Sequence, residues 1–202
     1  LERQRSRPRP QLPSGPFALD RQKALGERMM RAMGFDFTRG RLDVSHHPFC
    51  GGASDDVRIT TRYDEADFSS ALFGVLHETG HALYEQNLPA AFRYQPVGEA
   101  RGMSVHESQS LLMEMQACRS REFVHFAAPL LCQEFGGSGP LWEEENLYRF
   151  LTLVEPGFIR VESDEVTYPA HVILRYRLER ALIEDRLRLA ERKVRVPEAT
   201  SK

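Results

Sequence analysis

The chain has 202 residues, 41% of them hydrophobic, and a formal net charge of −2. That is enough apolar material for a real core, and too little charge imbalance to imply a nucleic-acid or anionic-membrane partner. No apolar run approaches the ~20 residues a membrane helix needs. No such run follows the basic N-terminus, as a signal peptide would require, and three cysteines at no metal-type spacing suit free thiols in a reducing, cytoplasmic compartment.

In chain order, residues 1–16 interleave Arg3, Arg5, Arg7 and Arg9 with Pro8, Pro10 and Pro13. This composition predicts an extended, disordered tail, with a basic interaction arm as the alternative. Phe17 to Gly34 reads as a helix capped by Asp20, with Leu25, Met29 and Met33 at helical spacing and Gly34 as its stop. Thr38 to Asp56, rich in Gly, His and Pro, reads as a loop. From Val57 to Tyr63 apolar and polar residues alternate, which predicts a half-exposed strand with Val57, Ile59 and Thr61 on one face. Ser69 or Ser70 then caps a helix running to about Gln86, packed through Ala71, Leu72, Leu76, Ala82 and Leu83. A long helix is predicted from about Ser104 to Phe135, a short one from Trp142 to Leu151 and a second strand from Phe158 to Val161. The last helix runs from about Asp164 to Lys193, with Leu174, Leu178, Ala181 and Leu182 on one stripe and Pro169 in its first turns. The sum is a mainly α fold with a small β-sheet: one core over 17–195 and a short tail over 196–202.

The sequence His77-Glu78-Thr79-Gly80-His81 is an H-E-x-x-H motif. On a helix, positions i and i+4 share a face, so two imidazoles reach one metal ion. The residue after the first histidine is turned about 100 degrees away, so Glu78 misses the metal but can take a proton from a water that the metal has acidified. Val75, Leu76, Ala82 and Leu83 flank the motif and predict a buried helix, where two histidines and a glutamate require partners. Gly80 weakens that helix, which points to a close approach to its backbone. A catalytic site needs a third protein ligand. Glu107, at the start of the next helix, is the candidate; an acid complementing that helix's dipole is the alternative, and the residues leave both open.

Five stretches together resemble the carboxypeptidase Taq family of thermostable zinc carboxypeptidases: His47-Pro48-Phe49, Asp56 to Thr60, His77 to His81, His106 to Gln109, and Ile159-Arg160 through Asp164. The resemblance implies a helical, zincin-like metallopeptidase core. It implies that His77, His81 and Glu107 hold Zn2+, for which Co2+ and Mn2+ could substitute, and that Glu78 is the general base. The implied substrates are peptides with a free C-terminus, trimmed one residue at a time, and a homodimer is also suggested. It places Arg58 and Arg160 in the substrate groove, a role suited to guanidinium, whose planar fork of donors matches a carboxylate. Surface pairs with Asp55 or Asp56 for Arg58, and with Glu162 or Asp164 for Arg160, are the alternatives.

The chain departs from the family in length, in lacking a large N-terminal helical region and a late Gln-Asp and His-Trp motif, and in carrying Ser163 where alanine is usual. The expectation is therefore a more open groove, and a chain that binds metal with weak or no turnover, acting in the limit as a metal-binding or structural module. Tyr168 and His171 are candidates to stabilise an oxyanion, or else structural residues. His106 is placed to orient a ligand or contact substrate. His46 and His47 read as loop-structuring residues, and His125, beside Phe123 and Phe126, as a core histidine.

Overall fold

The computed structural model describes residues 2–160 and 163–187. It divides into two compact units, Leu1–Leu153 and Val154–Lys202. In the first unit a short helix α1 (Glu2–Arg5) precedes α2 (Leu19–Met33). Within the stretch 1–16, expected as a disordered tail, Gln11 exchanges two hydrogen bonds with Asn146. Helix α2 ends as expected, with Gly34 at φ 95°, a left-handed conformation that glycine adopts without strain. Its N-cap position is Ala18 rather than Asp20, which lies in the first turn.

The segment expected as a loop before Asp56 contains two strands, β1 (Gly40–Val44) and β2 (Phe49–Ala53). Both pair with the expected strand, β3 (Asp56–Thr61): β1 runs parallel to it and β2 antiparallel, so β3 is central. Val57, Ile59 and Thr61 are buried along β3 while Asp56 and Arg58 face out, the alternation of a sheet covered on one face. That cover is α3 (Phe68–Gln86), in which twelve of nineteen residues are buried. Its Val75 and Ala82 join Met30, Phe35, Leu42, Val57 and Ile59 in one cluster. Phe68, Leu72, Phe73 and Leu76 enter a second cluster with Leu25, Met29, Val124, Leu131 and Leu147. A helix apolar on this many sides is a core element, so what it carries is held rigidly.

The cap of α3 is Asp67, not either serine. Its Oδ1 accepts from the Ser69 and Ser70 amides at 2.9 and 3.3 Å, satisfying donors that the first helical turn leaves without a backbone partner. At the other end buried Gln86 binds the Asp36 amide and donates to the Asp36 and Arg39 carbonyls, locking α3 to the entry of β1.

The long helix expected from Ser104 to Phe135 is four pieces. Helix α4 (Gly102–Leu111) passes into a π-helical turn at Leu112–Gln116 and a 3-10 turn at Ala117–Arg119. Ser120 then caps α5 (Arg121–Phe135) through the Phe123 amide. Gly136 ends α5, and α6 (Glu144–Leu151) completes the unit. His125, expected in the core, has a side chain 78% exposed and pairs with Glu144, so it belongs to the solvent face of α5.

In the second unit, residues Phe158 to Arg160 do not form a strand, and Val161 lies outside the described residues. Helix α7 (Tyr168–Ile183) starts with Pro169 in its first turn, as expected, but none of its residues is buried. The expected extension beyond 187 also lies outside the described residues. No described helix is long and apolar enough to cross a membrane.

Candidate metal centre

Helices α3 and α4 build the site by touching backbone to backbone. A Cβ added at Gly80 would lie 2.6 Å from Ser110 Cα and 2.7 Å from the Gln109 carbonyl oxygen. Only glycine allows that approach, which accounts for a poor helix former in the middle of α3. The contact sets α4 directly over the face that carries His77 and His81. Ser110 is fully buried there and donates to the Glu107 carbonyl at 2.7 Å, reinforcing the turn that presents Glu107.

His77, Glu78 and His81 thus lie on one helix and Glu107 on the next, and the donor atoms of His77, His81 and Glu107 all fall within 4.8 Å of one another. Glu107 Oε2 is 3.2 Å from His81 Nε2 and 3.7 Å from His77 Nε2. Two imidazole nitrogens and one carboxylate oxygen, converging on one point, are the donor set of a catalytic zinc with one position left over. The residues present therefore fit a divalent cation.

The opposite ring nitrogens are also engaged. His77 Nδ1 is 2.9 Å from Glu114 Oε2, and Glu114 is carried on the π-helical turn. His81 Nδ1 is 2.6 Å from His106 Nδ1, and His106 Nε2 is 2.8 Å from Glu85 Oε1. Arg119 sits 3.5 Å from Glu114, donates to the Leu151 carbonyl at 2.7 Å, and lies 4.1 Å over the Phe73 ring.

Glu78 is 7% exposed. Burial pushes its carboxyl above the ordinary glutamate value; His77 and His81 oppose that rise, while Glu107 and Glu114 reinforce it. For His77, burial disfavours the charged ring, but the hydrogen bond and charge of Glu114, with Glu78 and Glu107, outweigh it and raise the pKa. A cluster this acidic, partly buried beside two imidazoles, favours a bound cation.

The remaining site candidates stand apart from this cluster or in the other unit. Arg58 projects from the outward face of β3 and binds Asp56 at 2.7 Å, the surface pairing set out as its alternative. Arg160, in the second unit, donates to the Tyr168 hydroxyl at 2.9 Å, while Glu162 lies outside the described residues. Asp164 accepts from the Glu155, Val166 and Thr167 amides, and so orders the turn that leads into α7. His171 Nε2 lies 3.1 Å from the Gly157 carbonyl oxygen. Sequence reasoning missed Glu85 and Glu114. The signal for Glu85 was spacing, since His77, His81 and Glu85 repeat every four residues along one helical face.

The carboxypeptidase Taq (M32) metallopeptidase family description matches residues 1–196. The chain belongs to this family. It is 40% identical over 173 residues to carboxypeptidase 1 of Bacillus subtilis and 42% identical over 173 residues to thermostable carboxypeptidase 1 of Thermus thermophilus. Those matches cover 84% and 85% of this chain but 34% of either relative. Among solved structures, the Trypanosoma cruzi metallocarboxypeptidase 1 superposes with a TM-score of 0.88 at 48% identity, over 92% of this chain and 37% of that one. The M32 carboxypeptidase of Deinococcus radiodurans superposes with a TM-score of 0.82 at 44% identity, over 89% and 37%. The chain therefore spans about a third of the length of its carboxypeptidase Taq relatives, and its mainly α fold with a small sheet is theirs.

Proposed function

We propose that this chain is the metal-holding part of a carboxypeptidase that removes single residues from peptides with a free C-terminus. His77, His81 and Glu107 are its metal ligands and Glu78 its general base. The observation that carries the reading is the convergence of three donors from two helices, 3.2 and 3.7 Å across the Glu107 contacts, with a buried glutamate beside them. Zn2+ suits two imidazoles and a carboxylate, and Co2+ and Mn2+ accept the same set. Bound there, such a cation lowers the pKa of water and polarises the scissile carbonyl.

The protein's own residues supply the rest. Glu78 takes the proton of the attacking water and returns it to the leaving amine, a role suited to a carboxyl whose proton affinity burial has raised. Arg160 recognises the substrate's terminal carboxylate, using a fork of donors that now holds the Tyr168 hydroxyl. His106 steadies a ligand, and Tyr168 or His171 is a candidate oxyanion donor, with a structural role as the alternative for each. Arg58 serves the outer groove by exchanging Asp56 for substrate. The natural setting of such a protein is the cytoplasm.

Metal analysis of the purified chain, with a trimming assay on free-acid and C-terminally amidated peptides, tests this. The reading expects one bound divalent ion and at most weak release of C-terminal residues by this chain alone, confined to free acids. Equal cleavage of amidated peptides would remove the role of Arg160. Bound metal with no release from either peptide would favour a metal-binding module without turnover.

A further inference from the structure

Each imidazole that faces Glu107 has its far nitrogen held, and the two are held differently. Beside His77 the partner is a carboxylate, Glu114, at 2.9 Å. An ionised carboxylate only accepts hydrogen bonds, so a hydrogen sits on His77 Nδ1; with a cation held at Nε2, the nitrogen turned toward Glu107, that would be the ring's only hydrogen. Beside His81 the partner is another imidazole, and two imidazoles in contact leave the hydrogen order open. His106 settles it at its other end: its Nε2 meets Glu85 Oε1 at 2.8 Å and must donate. With a single ring hydrogen on His106, Nδ1 would be the acceptor, and the 2.6 Å contact would carry a hydrogen from His81 Nδ1. With a cation held between His81 Nε2 and Glu107, 3.2 Å apart, the lone pair of His81 would lie on Nε2, and the hydrogen order would run one way, from His81 to His106 to Glu85.

We propose that Glu85, acting through His106, and Glu114, braced by Arg119, are the positioning residues that fix both ligand histidines as Nδ1–H tautomers with Nε2 presented to the metal. The inference rests on the reading of His77, His81 and Glu107 as ligands and adds the carboxylates behind them. The fold supports the assignment in two ways. Glu85 is one turn past His81 on α3, so His106 of α4 bridges the two on a single helical face. Glu114 is delivered by a π-helical turn, a departure from regular helix that is frequent at functional sites. Arg119 fixes that turn from below, between Glu114, the Phe73 ring and the Leu151 carbonyl. Partners of this kind raise ligand basicity and hold ring orientation, and removing one costs about 10–100-fold in metal affinity.

The test has two parts on the whole chain. Zinc affinity is measured by competition with a chromophoric chelator for the parent, Glu85→Ala, Glu114→Ala and a control, Glu134→Gln, at a residue of α5 that pairs with Arg21 and Arg28. Each alanine variant is expected to bind zinc about 10–100-fold more weakly, with the control unchanged. Glu85→Gln and Glu114→Gln, which keep an acceptor oxygen, are expected to recover part of the loss. In the zinc-loaded parent, long-range proton–nitrogen NMR of the histidine rings should show the ring hydrogen on Nδ1 of His77 and His81 and on Nε2 of His106. This part needs no variant, and so stands even where one fails to fold. Tight zinc binding by the parent with unchanged affinity in folded alanine variants, or with His106 carrying its hydrogen on Nδ1, would overturn this inference alone. A parent that binds no zinc would overturn the ligand reading, and this one with it.

Discussion

Gly80 and Gly26 both lie inside helices and look equivalent in sequence, yet the packing around them predicts opposite results on mutation to alanine. At Gly26 an added Cβ meets only the Val75 methyls at 3.5 Å and Leu42 Cδ2 at 3.7 Å, ordinary van der Waals contact. Gly26→Ala should therefore collect the helix-propensity advantage of alanine, up to about 1 kcal/mol. At Gly80 the neighbours are backbone atoms of α4, at 2.6 and 2.7 Å, and no rotamer change relieves them. Helices α3 and α4 must separate by roughly 1 Å to restore normal contact distances. Overpacking costs about 1–3 kcal/mol, and rigid backbone on the far side puts this case at the upper end. After subtracting the propensity gain, Gly80→Ala should lose about 2 kcal/mol. For a chain of this size that is a fall of about 4–8 °C in melting temperature. The same separation moves Glu107 away from His77 and His81, when a bound ion tolerates only about 0.2 Å in its ligand distances. Zinc affinity should therefore fall by at least tenfold, whereas Gly26→Ala leaves it unchanged. Thermal melts of the metal-free chain and chelator competition check both. A Gly80→Ala chain that melts higher than the parent and keeps its zinc affinity would refute the claim that backbone contact at Gly80 builds the site.

Other consequences are open to direct measurement. Glu78→Gln should keep the metal and lose about 100- to 10,000-fold in peptidase turnover, in whatever length of protein turns over; loss of metal along with activity would contradict the division of roles. Asp67→Ala removes the side-chain cap of α3 and should cost about 1 kcal/mol, read as a shift in the denaturation midpoint. Burial pushes the Cys118 and Cys50 thiols up to about 12, helped by Glu114 at Cys118 and by Glu78 and Glu85 at Cys50. Both should resist alkylation at pH 8 in the native chain and react once it unfolds. The folded state holds these two protons while the unfolded chain releases them from about pH 9. Stability should therefore decline as pH rises from about 9 toward 12, and an unfolding midpoint that stays flat over that window would contradict it.

The donors of the site were legible because H-E-x-x-H on a buried helix has few other solutions, and because Gly80 could be justified only by a close neighbour. What carried the reading further was the order of five short stretches along the chain, not composition. The sheet was half legible. Alternation exposed β3, but β1 and β2 are short, and β2 contains Gly51 and Gly52, which weaken any strand signal. The break after α4 was hidden because apolar spacing continues through Leu111, Leu112 and Met115 to Phe123, and periodicity does not register a π-helical turn or the cap at Ser120. That turn is what delivers Glu114, so the carboxylate behind His77 was hidden with it. Asp67 was passed over in favour of two serines because the cap lies outside the apolar pattern it initiates.

Whether His77, His81 and Glu107 together hold one divalent ion is open to direct observation. Crystals of the chain grown with zinc, with diffraction recorded on both sides of the zinc absorption edge, test it directly. One strong anomalous peak is expected about 2.0–2.2 Å from Nε2 of both histidines and from a Glu107 carboxylate oxygen. A fully occupied peak elsewhere, or none at this site at saturating zinc, would contradict it.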